Sequence, residues 1–361
     1  MAEKKQKRHW LSRLSFGTVS LVAAVLLVLS YLSVIFDPAK AWFFTLFGLL
    51  YPLVLPLTAV LWVWSLIRKS SMRVLLTLAL LPSLYFAGRY YRPVFSSHEP
   101  EQEATLKMVS YNVGLFAHGP EGISRRDLAD SVSRYLMGLD ADIICLQEFF
   151  VPSGMPLDYW ISRHFPGYKG EFYMRNGKSG HFGNLTLSRY KVKDRGRINF
   201  EHSTNMALWT DIRLDSSTVR LYNCHFESYN ISIPGLIKKK DGVVEETEQK
   251  MRRSITWRPK QVSAVLKDIE NAPVRSVVAG DFNDTPLSYT YFRLLRGRKD
   301  SFTRAGHGFG STYSLLWPLL RIDYILYPQE MAAVSYQVER VPYSDHYPII
   351  STYYETGRDS Q

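Results

Sequence analysis

The chain has 361 residues, of which 46% are hydrophobic, and a formal net charge of +11. Its length admits one large domain or two domains of ordinary size. Residues 1–93 hold 11 Lys or Arg and two acidic residues, so residues 94–361 carry only +2, and the alkaline pI is no argument for nucleic-acid binding.

Apolar runs dominate residues 1–93 and predict a membrane anchor of three transmembrane helices. The runs cover about residues 14–36, 42–67 and 74–91. Each has roughly the 17–25 residues that cross a bilayer core of about 30 Å, although Pro82 and Gly88 interrupt the third. A cleaved signal peptide is disfavoured, because the first run is too long and no small-residue cleavage site follows it.

Loop charges predict the orientation of this anchor. The N-terminal tail holds five Lys or Arg residues and the loop at 68–73 holds three, whereas the first loop holds only Lys40. Cytoplasmic loops collect Lys and Arg, so three crossings would put everything after about residue 93 outside the cytoplasm. The pattern predicts a multi-pass protein of a bacterial inner membrane with a periplasmic domain. If the third run failed to span, that domain would be cytoplasmic.

Residues 94–106 are predicted to be a linker, and residues 107–361 a soluble domain of the α/β class. Short runs rich in β-branched and aromatic residues predict its strands. These runs are 107–113, 142–148, 183–188, 206–214, 218–226, 275–281, 322–327, 333–341 and 348–354. One helix is predicted from Ser124, where Ser124 and Asp127 resemble a capping box, and another from Pro259.

Two features of this domain leave alternatives open. Cys145 and Cys224 lie in apolar runs and are predicted to be buried core residues, with a disulfide possible in an oxidising compartment. The segment 230–257 fits no strand. It is a solvated loop or helix, or else an insertion that faces substrate or membrane.

Polar residues follow or interrupt the apolar strands at several places, and this is the strongest functional signal in the sequence. They are Asn112, Glu148, Asn223 with His225, Asp281 with Asn283, Asp323, and Ser344-Asp345-His346. Residues two apart on a strand share a face, which pairs Asn223 with His225. A carboxylate inside an apolar strand is costly unless it is paired or binds a metal ion.

The order of these motifs resembles the endonuclease/exonuclease/phosphatase superfamily, with its DNase I-like fold, over roughly residues 107–355. Thr186, in the stretch from Gly183 to Tyr190, departs from the small apolar residue usual in that family. The resemblance implies a four-layer α/β sandwich of two packed mixed sheets flanked by helices, here preceded by three transmembrane helices. It also implies an active site at one edge of the sandwich.

The resemblance further implies roles for individual residues. Glu148 would be the principal ligand of Mg²⁺ or Mn²⁺, with Asn112 and Asp345 close by, since hard oxygen ligands suit these ions. His346 would activate or orient the attacking water, or stabilise the phosphorane, and Asp323 would hold its ring.

The remaining implied roles concern water and phosphate. Asp281 would position the nucleophile, and Asn283 would donate to a phosphate oxygen. His225 would contact phosphate or protonate the leaving oxygen, supported by Asn223 as a further phosphate-binding residue. Arg258, in an Arg-x-x-Gln pattern with Gln261, could also touch substrate, although a helix-start arginine needs no function.

Three functions are compatible with the sequence. The implied activity is metal-dependent hydrolysis of a phosphate ester, most simply a phosphodiester, at the outer face of the membrane. The substrate could be extracytoplasmic DNA or RNA, or a lipid headgroup as in sphingomyelinases and inositol phosphatases. The third possibility is a membrane scaffold that kept the fold without activity.

Overall fold

The N-terminal region forms a bundle of helices. The computed structural model describes residues 2–94, 103–214, 217–229 and 243–356, without side chains for 2–14 and 243–244. The bundle helices are α1 (Ala2–Leu32), α2 (Pro38–Ala41), α3 (Phe43–Ile67), α4 (Met72–Leu80) and α5 (Ser83–Phe86). The hydroxyl of Tyr31 lies 2.9 Å from the Ala79 carbonyl and 2.6 Å from the Ser83 hydroxyl, which joins α1 to the third run.

Two of the three predicted spans are single helices of spanning length. By length and composition, Ser15–Leu32 and Phe43–Ile67 could each cross a membrane. The third run, predicted at 74–91, is not one helix. It divides into α4, α5 and a 3₁₀ turn at Ala87–Arg89, because Pro82 has no backbone N–H to continue the helical ladder.

The bundle buries small polar side chains and exposes large apolar ones. Its buried polar residues are Ser20, Ser30, Ser33, Thr45, Thr58, Ser65 and Ser83. Its exposed apolar residues include Val19, Leu21, Val22, Val25, Val28, Leu50, Leu53, Leu57, Val60, Val63, Leu78 and Leu84. A protein surrounded by water has the reverse arrangement, since large apolar patches are rare on soluble monomers.

The rest of the chain forms two six-stranded mixed sheets. The first has the order β13-β14-β2-β3-β5-β4 and the second β10-β12-β9-β8-β7-β6. The strands of the first sheet are β2 (Leu106–Asn112), β3 (Ile143–Pro152), β4 (Lys169–Asn176), β5 (Gly180–Ser188), β13 (Met331–Val338) and β14 (Ile349–Glu355). Those of the second are β6 (Lys191–Asn199), β7 (Met206–Arg213), β8 (Thr218–His225), β9 (Ser276–Asp281), β10 (Arg298–Asp300) and β12 (Asp323–Pro328).

Helices flank the two sheets. They are α6 (Arg125–Gly138), α7 (Leu157–His164), α8 (Val243–Asn271), α9 (Tyr289–Leu295) and α10 (Ser301–Ala305). Ser124 caps α6 by accepting from the Asp127 backbone N–H, as the sequence predicts. The predicted start of a helix at Pro259 is wrong, because α8 already begins at Val243 and contains Pro259 in its interior. Residues 243–257 are therefore helical, and 230–242 lie outside the described residues.

The inner faces of the sheets form the core of the sandwich. Met108, Cys145, Leu221, Val277 and Ile325, from both sheets, belong to one buried cluster. Cys145 and Cys224 are buried free thiols, which confirms the prediction of core residues.

The bundle and the sandwich are joined directly. The Ser33 hydroxyl at the end of α1 donates to the Leu287 carbonyl at 2.7 Å, and Leu287 packs in the buried cluster of the bundle. Beyond the 3₁₀ turn, β1 (Tyr91–Arg92) pairs with β11 (Gly308–Phe309) as a small separate sheet. The chain thus enters the sandwich domain before the predicted linker at 94–106, of which 95–102 lie outside the described residues.

A buried ion pair strengthens this junction. Arg321 and Asp300 form a salt bridge, and each side chain is about 1% exposed. Arg321 also donates to the Arg89 carbonyl at the end of the bundle. Asp300 accepts from the Tyr291 hydroxyl at 2.7 Å and caps α10 through the Phe302 N–H.

We expect Asp300→Asn to lower the stability of the full chain by about 3 kcal/mol or more, because it leaves the buried Arg321 guanidinium without its counter-charge. Thermal unfolding of the protein in detergent micelles measures the effect. Glu246→Gln breaks an exposed pair with Lys250 and serves as the control, with no measurable change expected. Equal unfolding temperatures for the two variants would contradict the prediction.

Candidate active site

The polar ends of the central strands converge at one edge of the sandwich. Asp323 on β12 is the register partner of Asp281 on β9, and Asp281 is in turn the partner of His225 on β8. In the other sheet, Asn112 at the end of β2 lies opposite Gln147 on β3. The predicted residues of both sheets therefore reach the same edge.

Asn112 connects the two sheets across the site. Its amide Nδ2 lies 3.0 Å from Asp281 Oδ2 and 3.2 Å from Glu148 Oε1. Glu148 has a φ of +48° and lies at a break in the β3–β5 register, between Leu146 and Phe149. Such irregularities redirect a side chain away from the alternation of the strand, and here Glu148 is placed beside Asn112.

His346 and Asp323 form a second pair of contacts. His346 Nδ1 lies 3.0 Å from Asp323 Oδ2, and Nε2 lies 3.8 Å from Asp281 Oδ2. The hydroxyl of Thr312 accepts hydrogen bonds from the backbone N–H groups of Ile322 and Asp323, which fixes the start of β12. An Nδ1–H donated to Asp323 leaves Nε2 turned toward the rest of the site.

His225 points into the same cluster from β8. Its Nε2 lies 3.5 Å from Glu148 Oε1 and 3.7 Å from Asp281 Oδ2. This nitrogen is buried and has no hydrogen-bond partner in the described part of the chain. A buried polar atom without a partner is costly, so it marks a position where a ligand atom would be favoured.

The carboxylates of the site shift the proton affinity of the groups beside them. Burial raises the pKa of Asp281 to about 6, against the opposing effect of His346. Burial by itself would lower the pKa of His346, but Asp323 and Asp281, with the Asp323 hydrogen bond, raise it to about 10. At neutral pH both nitrogens of the His346 ring are therefore protonated and the ring is positively charged, while the Asp281 carboxylate is largely ionised.

The donor set fits a hard divalent cation. Glu148 and Asp281 share the contacts of Asn112 and His225. In the described residues neither of them, nor Asp323, forms a salt bridge with Lys or Arg. The ligand atoms of Asp281, Asp323 and His346 lie within 4.8 Å of one another. Carboxylate and amide oxygens are the ligands that Mg²⁺ and Mn²⁺ prefer.

Asp345, the third predicted metal ligand, lies beside this cluster. Its Oδ1 is 3.3 Å from the Ser344 hydroxyl and 4.0 Å from His118 Nε2. In the described part of the chain it forms no hydrogen bond with Glu148 or Asn112. The Ser344 hydroxyl donates to the Asn112 carbonyl at 2.8 Å, so this loop is nevertheless tied to the end of β2.

Asn283 shapes the turn after β9. It has a φ of +51°, and its backbone N–H donates to Asp281 Oδ1 at 2.8 Å. Its amide Nδ2 donates to the Phe226 carbonyl at 2.9 Å and lies 3.0 Å from Asp281 Oδ2. The donors that would serve phosphate are thus engaged within the protein, while the side chain stays beside Asp281.

Asn223 and Arg258 do not face substrate as the sequence analysis expected. Asn223 is fully buried, and its Nδ2 donates to the Leu146 and Leu185 carbonyls at 3.2 and 3.1 Å. Arg258 is also buried, donates to the Glu227 carbonyl and pairs with Asp284 at 3.2 Å. Both residues support the framework beneath the site.

Two further residues around the site were given no role in the sequence analysis, although Gln147 stands next to Glu148 in the motif that resembles the family. Gln147 Nε2 donates to Asn223 Oδ1 at 2.8 Å, which extends the polar contact between the sheets. The ring of Tyr313 lies edge-on to His346, with centroids 5.3 Å apart. Gln147 could have been found as a polar residue inside an apolar strand, whereas Tyr313 lies in a loop without any such signal.

Comparisons with known proteins agree with this architecture. Residues 109–346 match the sequence model described as Endonuclease/Exonuclease/phosphatase family. Residues 12–90 match a second model, described as a domain of unknown function. The comparison with curated proteins gave no match.

Solved structures share the fold at low sequence identity. An endonuclease/exonuclease/phosphatase from Beutenbergia cavernae DSM 12333 is 17% identical, with a TM-score of 0.53, and the alignment covers 71% of this chain and 72% of that one. A mannosyl-6-phosphatase from Bacteroides thetaiotaomicron VPI-5482 is 16% identical over 69% of this chain and 100% of that one, with a TM-score of 0.51. The human Nocturnin catalytic domain, with bound sulfate, is 16% identical over 70% and 94%, with a TM-score of 0.51.

We expect Asn223→Ala to lower the free energy of unfolding by about 1–3 kcal/mol, because it leaves buried groups of both sheets without partners. Thermal unfolding of the full chain measures this loss. Asn176→Ala, which removes only an exposed contact with His181, is the matched control. A stability loss no larger for Asn223→Ala than for Asn176→Ala would show that the inter-sheet amide is dispensable.

Proposed function

This chain belongs to the Endonuclease/Exonuclease/phosphatase family of phosphate-ester hydrolases, and from that premise we propose that it is a divalent-metal-dependent phosphodiesterase. The observation that carries the proposal is the contact of Asn112 with both Glu148 and Asp281, beside the His346–Asp323 pair. Cation ligands, a nucleophile-positioning carboxylate and a held imidazole thereby lie in one cluster.

Glu148 and Asn112 would hold Mg²⁺ or Mn²⁺, with Asp345 as the further ligand that the family resemblance implies. When bound, the cation neutralises charge that develops on the phosphoryl oxygens. Glu148 suits this role because its side chain is about 32% exposed and can reach a ligand from solvent. The Asn112 amide nitrogen donates to Glu148 and Asp281, and its Oδ1 accepts from the Gly114 N–H, so Asn112 would reach the cation with its oxygen only by giving up these contacts and otherwise holds Glu148 in place.

Asp281 and His346 would act on the attacking water and on phosphate. Asp281 is ionised at neutral pH and lies between His225 and His346, where it can orient a water molecule and accept its proton. The protonated His346 ring, held by Asp323, would donate to a phosphoryl oxygen. Preorganised donors of this kind stabilise charge in the transition state.

His225 would serve the leaving group. As the water oxygen bonds to phosphorus, the bond from phosphorus to the ester oxygen breaks, and that oxygen takes a proton. Among the described residues the His225 Nε2 makes no hydrogen bond, and it faces Glu148 and Asp281 at 3.5 and 3.7 Å. From there it would donate the proton that the leaving oxygen takes. Asn283 would hold Asp281 in place through its backbone and side-chain amide groups.

The anchor supports action at the outer face of a bacterial inner membrane. An apolar exterior around buried small polar residues is typical of helices packed within a bilayer. Although the third run is broken at Pro82, Ser83 lies against Tyr31 at the end of α1. The chain therefore leaves the bundle at the end where α1 finishes. The positively charged tail and the loop at 68–73, which favour the cytoplasm, lie at the other end.

We expect the full chain in detergent micelles to hydrolyse bis-p-nitrophenyl phosphate in the presence of Mg²⁺ or Mn²⁺. Glu148→Ala and His346→Ala should each lower kcat by about 10²–10⁴-fold, the range for loss of a charge-stabilising or acid–base group. Release of nitrophenol measures the rate.

Matched controls for these substitutions lie away from the site. Glu246→Ala alters an exposed glutamate of α8, and His164→Ala alters a histidine paired with Asp130. Both should keep rates within about twofold of wild type, because the partners of these side chains, Lys250 for Glu246 and Asp130 and Trp160 for His164, are not site residues. A folded wild-type protein that is inactive with either cation, or variants that match their controls, would count against the proposed mechanism.

We expect Mg²⁺ or Mn²⁺ to raise the stability of the wild-type protein by about 2–3 kcal/mol at roughly a hundred times its Kd, since the cation binds only the folded state. Glu148→Gln should lose most of this gain because it removes the principal charged ligand. Thermal unfolding with and without a chelator measures the difference. The same gain in Glu148→Gln would place the cation elsewhere.

A further inference from the structure

The active site lies close to the outer end of the helix bundle. Leu287, whose carbonyl accepts a hydrogen bond from Ser33 at the end of α1, lies only four positions after Asn283. Four residues of fully extended chain span at most about 14 Å. Asp323 follows two residues after Arg321, which donates to the Arg89 carbonyl of the bundle. Two separate segments therefore place the site within reach of the bundle end.

An exposed apolar surface occupies the same end of the molecule. We call it the apolar patch, and it consists of Tyr91, Phe309, Leu315, Leu316 and Trp317, all exposed. Its rings form a chain of contacts, with Tyr91 and Phe309 centroids 4.9 Å apart and Phe309 and Trp317 centroids 6.0 Å apart. Leu315 is 66% exposed, so the patch is not explained by the folding of the domain itself.

The apolar patch connects the bundle with the active site. Tyr91 follows directly after Tyr90, which packs against the buried cluster of the bundle. At the other end, the Ser314 N–H next to Leu315 donates to the Asp345 carbonyl at 2.8 Å. Tyr313 pairs through its backbone with His346. The patch therefore begins directly after the residue that packs on the end of the bundle, and it borders the loop that holds Asp345 and His346.

The chemistry of the patch matches the surface of a bilayer. Tyrosine and tryptophan are enriched at the membrane–water interface, where the ring is apolar and its edge is polar. The Arg340 guanidinium lies 4.8 Å from the Trp317 ring centroid, where it can meet an anionic headgroup. A surface for nucleic acid needs a row of cations that follow a backbone, beside rings that serve as stacking platforms. The patch has the rings, but among the described cations Arg340 alone lies over one of them.

We propose that the apolar patch rests in the outer interface of the bilayer and that the substrate is the phosphodiester of a lipid headgroup. This inference rests on the proposed phosphodiesterase activity and names its substrate class. The patch and the bundle hold the catalytic edge at the depth of the headgroups, so that a lipid phosphate reaches Glu148 and His346 without leaving the membrane.

The first experiment tests whether the apolar patch contacts the bilayer, and its readout does not depend on catalysis. Leu315→Cys in the full chain is labelled with a polarity-sensitive thiol dye and placed in nanodiscs of phosphatidylcholine and phosphatidylglycerol. The native Cys145 and Cys224 are buried and do not compete for the dye. Spin-labelled lipid should quench the dye at position 315 but not at Tyr159→Cys, a position 55% exposed on α7. Equal quenching at both positions, or none at 315, would overturn the docking of this patch.

Substrate class is tested with Leu315→Glu and its matched control Tyr159→Glu, which adds the same charge elsewhere on the surface. In nanodiscs of bacterial lipid extract supplemented with phosphatidylcholine, Leu315→Glu should lower headgroup release by about tenfold or more, the approximate worth of one inserted apolar side chain. Hydrolysis of soluble bis-p-nitrophenyl phosphate should stay near the wild-type rate in both variants.

The outcomes separate the two proposals. Wild-type protein that hydrolyses the soluble diester, or DNA or RNA, but releases no lipid headgroup would overturn the lipid inference and leave the phosphodiesterase proposal standing. If Leu315→Glu lowered the hydrolysis rates of soluble and lipid substrates equally, the lipid inference would also be overturned, because the substitution would then act on the active site itself. Absence of metal-dependent turnover on every substrate would overturn both.

Discussion

The site depends on the buried carboxylate of Asp281, which must be compensated from both sheets at once. Asn112 on β2 and His346 in the loop before β14 reach it from the first sheet, while Asn283 and His225 approach it from the second. A buried charge without such partners would be strongly destabilising. The requirement fixes where the ends of β2, β8 and β9 must meet.

The sequence was informative where polarity and burial conflict. Asn112, Glu148, His225, Asp281, Asp323 and His346 all follow or interrupt apolar strands, and the structure brings them together. All nine predicted strands are found with small shifts at their ends. The strands β1, β4, β6, β10 and β11 were missed. Of these, β6 alternates charged residues with few apolar ones and is exposed on much of its length, and β1, β10 and β11 have only two or three residues each. The alternation of apolar and polar residues that identifies a strand in a sequence is weak where the strand contributes little to the core.

Other features could not be predicted because they depend on depth or on tertiary context. Asn223 and His225 share a face of β8, but they differ in position along the strand by two residues, about 7 Å. Because of this difference, the Asn223 amide lies between the two sheets, whereas the His225 side chain lies at their edge. Pro259 indicated a helix start by a general preference, yet Val262 and Val265 beyond it and Ile255 before it are all buried, and this packing outweighs the preference. Arg258 is buried and pairs with Asp284, a residue distant in the sequence.

The burial of the two cysteines determines how the thiols of the folded domain respond to oxidants. Burial raises the pKa of the Cys145 thiol to about 12 and also raises the pKa of Cys224. The thiolate is the form that reacts with oxidants and disulfides, and neither thiol forms it at neutral pH. The two thiols of the folded domain are therefore protected from oxidants, and they form no disulfide with each other.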